Sequence, residues 1–189
     1  ALESLVEITA LAMPRRVYME PLANPPLVIY TDAAEEDSSL TCGFAITSSS
    51  MQEVLIGGFS VPLQAVAKWN QRSRQITLAE LVVAPILSNA PELRDTLCNQ
   101  NAVWFIDNVA ALTALIKATS ARHDMSRLAC FCATSLAKLG TTVYYEWVRS
   151  SSNVADLPSR GTFPSQLAGK HCRLINLSID WQRLDNALD

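Results

Sequence analysis

Four carboxylates stand where their chemistry would matter: Asp32, Glu80, Asp107 and Asp156. Asp32 directly follows the apolar, β-branched run Leu27-Val28-Ile29-Tyr30-Thr31, and Asp107 follows Val103-Trp104-Phe105-Ile106 in the same way. An ionised carboxylate at the end of a core strand is costly unless something compensates its charge. In open sheets, ligands bind beyond the carboxyl ends of strands. Each residue also has an ordinary reading. Either Asp alone suits a turn or an exposed strand end. Glu80 falls in the first turn of a helix, where a negative charge favours the dipole. Asp156 sits at a helix start for the same reason. The functional reading therefore rests on the order and placement of all four together.

The elements that must position them read as a mixed α/β pattern. Leu27–Thr31, Leu40–Thr47 and Glu53–Val61 are expected strands, joined by short acidic and Ser-rich turns that imply antiparallel hairpins. Thr77–Asn89 has helical periodicity, with Pro85 expected to kink or shorten it. A strand at 103–106 follows, then helices at Val109–Ala118 and Asp124–Leu139, the latter ended by Gly140. Thr142–Val148 is a last strand, and a short helix begins near Asn153 or Ala155. Hairpins on one side and crossovers on the other predict one mixed sheet flanked by helices.

Composition bounds the rest. In 189 residues the hydrophobic fraction is 49% and the charged fraction 17%, enough for a buried core and unlike a disordered chain. The formal net charge of −3 gives no global attraction to nucleic acid, so phosphate binding would need local basic patches or metal ions. Five cysteines without a CxxC pair read as reduced thiols of an intracellular protein, in the cytoplasm or nucleus. No apolar run approaches the ~18 residues of a membrane span, and the acidic N-terminus is unlike a signal peptide. The chain opens without Met, which fits an excised or processed piece of a longer protein.

The wording around the four acids is IYTDAA, ITLAEL, WFIDN and SSNVADLPSRG. In this order, on this succession of elements, it resembles ribonuclease H. It is most similar to the ribonuclease H domains of reverse transcriptases from long-terminal-repeat and tyrosine-recombinase retrotransposons. In those an Asn-x-x-Ala-Asp segment ends in Ser-Arg; here Asn153-Val154-Ala155-Asp156 is one residue shorter. The resemblance covers Leu27 to Gly161 and divides the chain into a lead-in or linker (1–26), a ribonuclease H-like domain (27–161) and a C-terminal extension (162–189).

The resemblance implies a five-stranded mixed sheet, three antiparallel strands and then two parallel, with Asp32 and Asp107 adjacent and Glu80 and Asp156 closing a ring. Such a ring needs cations to relieve its repulsion, and Mg²⁺ or Mn²⁺ suits oxygen ligands. Two ions would be held by all four acids, and the RNA strand of an RNA–DNA hybrid would be cut to a 5′-phosphate and a 3′-hydroxyl. An upstream reverse transcriptase domain is an expected partner, and a membrane is not. Asn108 and Arg160 are substrate contacts by motif analogy. Lys68, Trp69, Arg72 and Arg74 form a basic, aromatic stretch suited to gripping a nucleic-acid backbone. One departure is plain: the loop 148–153 lacks the His that many relatives carry, and only His123 and His171 are present. The rival reading is a retired nuclease fold serving as a binding or assembly module.

Overall fold

A computed structural model describes residues 25–188 except 38, 71, 73 and 74, so Arg74 and most of the lead-in lie outside the described residues. Three strands open the fold: β1 (Leu27–Glu36), β2 (Ser39–Thr47) and β3 (Glu53–Val61). The short α1 (Leu63–Val66) leads to α2 (Ile76–Asn89), a 3₁₀ turn (Pro91–Leu93) and α3 (Arg94–Leu97). Then come β4 (Asn101–Ile106), α4 (Val109–Lys117), α5 (His123–Leu139) and β5 (Thr142–Trp147). A second 3₁₀ turn (Ser150–Ser152), α6 (Asp156–Ser159), β6 (Gln166–Leu167), β7 (Lys170–Leu174) and α7 (Trp181–Leu188) complete it.

The sheet runs β5-β4-β1-β2-β3-β7-β6. β1, β2 and β3 pair antiparallel, while β4 joins β1, and β5 joins β4, in parallel. The expected five strands are therefore present in the expected senses, but the sheet has seven. The extension after residue 161 supplies the other two. β3 would otherwise end the sheet with unpaired N–H and C=O groups. Instead β7 pairs with it in parallel, and Ile175 N–H donates to Ile56 O at 2.8 Å. Lys170 Nζ fastens the addition by donating to the Ser48 and Met51 carbonyls at 2.5 and 2.8 Å. Farther on, Trp181 meets Phe59 edge to face at 6.3 Å, and α7 buries Leu184.

One layer of helices forms the main core. Leu27 and Ile29 of β1, Phe44 and Ile46 of β2, and Trp104 and Ile106 of β4 pack under α2 and α5. α2 is buried on nearly every side from Leu78 to Ser88, which explains why its sequence is apolar without a clean stripe. It also continues through Pro85 to Asn89 rather than ending there. Burial on all sides outweighs the one backbone hydrogen bond a proline removes. Asn89 Nδ2 takes up the Pro85 carbonyl at 2.8 Å and also reaches Ser135 Oγ at 2.9 Å on α5. All five cysteines are free. No single helix among the described residues is long and apolar enough to cross a membrane.

Candidate functional site

Parallel pairing of β1 with β4 sets Thr31 opposite Ile106, so the two following residues, Asp32 and Asp107, emerge side by side. The backbone beside each aspartate is pinned, Asp32 lying within β1 and Asp107 just past the end of β4. Trp104 Nε1 donates to Thr31 Oγ1 at 3.0 Å, and Trp147 Nε1 donates to the Asp107 carbonyl at 3.0 Å. α2, laid against β1 and β2, delivers Glu80 from its second turn. One ligand oxygen from each of Asp32, Glu80 and Asp107 lies within 4.8 Å of the other two.

Two of the trio are buried and Asp107 is half-buried, with no cation among them. Asp32 is 5% exposed and Glu80 is 4% exposed. Glu80 Oε2 and Asp107 Oδ1 have no hydrogen-bond partner. Burial, reinforced by the charges of Asp107 and Asp156, pushes the Asp32 carboxyl up to about 6, even though Ser159 and Arg160 oppose it. Burial and the neighbouring Asp32 and Asp107 charges push Glu80 up to about 10. A group that stays protonated near neutral pH for lack of a cation, with an orphaned oxygen beside it, is what a hard divalent ion would relieve. The donor set, all carboxylate oxygen, fits Mg²⁺ or Mn²⁺.

Asp156 is placed differently. It begins α6 at the rim of the trio, close enough for its charge to act on Asp32 but outside the group of three. Its Oδ1 accepts from Arg160 Nε at 3.0 Å, and Arg160 Nη1 reaches Glu36 Oε1 at 2.9 Å. Of the ring of four expected from the resemblance, three acids meet and the fourth is already paired. Arg160, expected to contact substrate, is half exposed and committed to these two acids.

Asn108, the other expected contact, caps α4. Its Oδ1 accepts from the N–H groups of Ala110 and Ala111 at 3.1 Å, while its Nδ2 lies 3.4 Å from Thr77 Oγ1 on α2. Beside it opens a groove bordered by Arg72, Thr77, Thr113, Lys117 and Arg122.

Lys68, Trp69 and Arg72 are where the sequence reading needs correction. Trp69 is 4% exposed and belongs to the core, so it presents no face for stacking. Lys68 pairs with Asp185 of α7 at 2.5 Å. Arg72 pairs with the buried Asp124 at the start of α5, also at 2.5 Å, although it still borders the groove. These side chains stitch the loop to two helices, because each finds a carboxylate remote in sequence. His123 is exposed at the start of α5 and His171 lies in β7, and neither joins the trio.

Ser159 escaped the sequence reading. It is wholly buried, and its Oγ lies 2.5 Å from Asp32 Oδ2. Its one signal was its place inside NVADLPSRG, three residues after Asp156.

No family model matches this chain, and no curated protein does. Among solved structures it is similar to a ribonuclease H1 from the halophilic archaeon Halobacterium salinarum, with 14% identity and a TM-score of 0.51, covering 72% of this chain and 99% of that one. It is also similar to the N-terminal ribonuclease H domain of a Mycobacterium tuberculosis protein, solved fused to maltose-binding protein, with 12% identity, a TM-score of 0.48, and coverage of 73% and 96%. At such identities the first likeness is one of architecture, and it agrees with the strand order and helix placement above: the chain has a ribonuclease H-like fold.

Proposed function

We propose that this chain is a metal-dependent endonuclease that hydrolyses the RNA strand of RNA–DNA hybrids, acting inside the cell as the ribonuclease H part of a retroelement-type reverse transcriptase. The observation that carries the reading is the trio Asp32, Glu80 and Asp107, brought together with two buried oxygens left unpartnered. Asp32, Glu80 and Asp107, with Asp156 at the rim, would hold two Mg²⁺ or Mn²⁺ ions. Bound there, the ions would activate the attacking water and stabilise the leaving oxygen of an in-line displacement. The chain's own share is to hold the oxygens in place before metal arrives. The parallel β1–β4 pair fixes the spacing of the two aspartates, and α2 supplies Glu80 from a fully packed helix.

The groove beside Asn108, with Arg72, Lys117 and Arg122 on its borders, gives a negatively charged backbone a place to lie next to the acids despite the net charge of −3. The archaeal neighbour is a ribonuclease H1, which agrees with the proposed activity. The retroelement assignment is supported by the run from Asn153 to Arg160, and the upstream polymerase domain follows from that assignment.

The test is cleavage of a labelled RNA–DNA hybrid with Mg²⁺, with Mn²⁺ and with EDTA. Duplex DNA and single-stranded RNA are the controls. Metal-dependent cutting of the RNA strand alone is expected. A folded protein that cuts nothing with either metal would leave a retired fold used for binding or assembly.

A further inference from the structure

We infer that Ser159 is a positioning residue that holds Asp32 in its metal-binding orientation; the inference rests on the metal reading above. The segment from Asn153 to Arg160 supplies more than the rim acid. It lies across a row of three paired backbone positions, Asp32 on β1, Gly43 on β2 and Gly58 on β3. Both glycines are needed there. A Cβ on Gly43 would collide with Ser159 N and stand 2.7 Å from Pro158 C and 2.8 Å from Ala155 O. A Cβ on Gly58 would stand 2.7 Å from Pro158 O. The segment's start is tied to the residue before Asp32, since Asn153 Nδ2 donates to the Thr31 carbonyl at 2.9 Å while its Oδ1 accepts from Ala155 N–H. α6 is thereby clamped onto the sheet, with Ser159 beside the Asp32 side chain.

The contact itself is short and dry. Ser159 is 0% exposed, and its Oγ sits 2.5 Å from Asp32 Oδ2 and 2.9 Å from the Asp156 carbonyl. A carboxylate free to rotate spends part of its time with its oxygens badly aimed. One anchored oxygen fixes the plane of the group. Partners of this kind, which touch a ligand rather than the metal, are worth about 10–100-fold in metal affinity. Ser159 also links the two halves of the site, because the same hydroxyl touches Asp32 and the backbone of Asp156.

The experiment is Mn²⁺ binding by calorimetry to the full chain, with Asp107→Asn as reference. The variants are Ser159→Ala and Ser159→Cys, the first removing the donor and the second replacing it with a slightly larger and weaker one. Wild type should take up Mn²⁺, and both variants should bind about tenfold more weakly. Their Tm in EDTA should stay within about 5 °C of wild type. A merely structural serine would give the opposite pattern, a lowered Tm with Mn²⁺ affinity within about twofold of wild type, and that result overturns the inference. So would loss of a cooperative transition in both variants. No uptake by wild type would overturn the metal reading itself, a failure distinct from an unchanged affinity in the Ser159 variants.

Discussion

Asp124 and Glu80 are equally hidden, each 4% exposed, yet the protein treats their charges in opposite ways. Asp124 accepts from Arg72 Nη2 at 2.5 Å and from the N–H groups of Asn70 and Met125 at 3.0 and 2.8 Å. Burial alone would push its carboxyl up, but Arg72 and these N–H groups hold it below its ordinary value. Glu80 has no such cation, keeps one orphaned oxygen, and is pushed up to about 10. Both are equally screened from solvent, but Glu80 sits deeper among protein atoms, so depth and missing donors act together to separate them. Where a buried carboxylate serves structure, the fold brings donors to it. Where three carboxylates meet with no cation among them and two oxygens unpartnered, the charge is left for something the chain itself does not supply.

The sharpest break of that contrast is chemical. Asp32→Asn or Asp107→Asn should lower hybrid cleavage by about 10³-fold, since a metal contributes several kcal/mol to the transition state. In EDTA either variant should melt no lower than wild type, because a poorly compensated charge has been removed. Normal cutting by either variant, in the same labelled-hybrid assay, would refute the site. Asp124→Ala should do the reverse. It strands Arg72, whose side chain is only 16% exposed, and should cost about 3 kcal/mol in urea unfolding, with cleavage per folded molecule within a few-fold of wild type.

Glu80→Gln should stabilise the metal-free protein by about 1–3 kcal/mol at pH 8, as an amide removes the need for a proton. The pH sign follows from the raised carboxyls. Glu80 rises from 4.5 to about 10, so its contribution to stability is whole below pH 4.5 and is lost as pH climbs toward 10. Asp32 adds the same sign between pH 3.8 and about 6. Wild type in EDTA should therefore be more stable at pH 5 than at pH 9, Mg²⁺ should flatten that slope, and Glu80→Gln should nearly remove it. Asp124, lowered, gives stability that is lost only as pH falls below its ordinary 3.8. Denaturant melts at several pH values separate these limbs. The smallest effect belongs to Arg160→Ala. Its two partners, Asp156 and Glu36, are 40% and 64% exposed, so the loss should stay within about 0–1 kcal/mol and shrink further in salt.

The succession of strands and helices was legible, and so was the grouping of Asp32, Glu80 and Asp107. But β1 runs on past Asp32 to Glu36 instead of ending at Thr31, because β2 pairs with it that far. The antiparallel senses of the first three strands followed from short turns, and the parallel senses of the last two from the resemblance to ribonuclease H. Pairings between distant segments were not legible. Lys68, Trp69 and Arg72 read as a nucleic-acid grip because nothing local announces Asp185, Asp124 or the core beneath Trp69. The two added strands were missed for a related reason: Lys170–Leu174 carries two basic residues and a His, and becomes a strand by pairing with β3. β propensity depends on what a strand packs against, and the partner lies more than a hundred residues away.

Local sequence, then, was enough to give the order of the elements, and together with the resemblance to propose the acids they carry. Side-chain type, hydrophobic period and turn composition act over a few residues and survive without a fold. Tertiary packing settled the rest. It brought Asp32, Glu80 and Asp107 together, set Asp156 aside with Arg160, and laid Ser159 against Asp32 through two glycines on neighbouring strands. The physical reason is that a charge's cost depends on every group within a few ångströms, and most of those groups arrive from elsewhere in the chain.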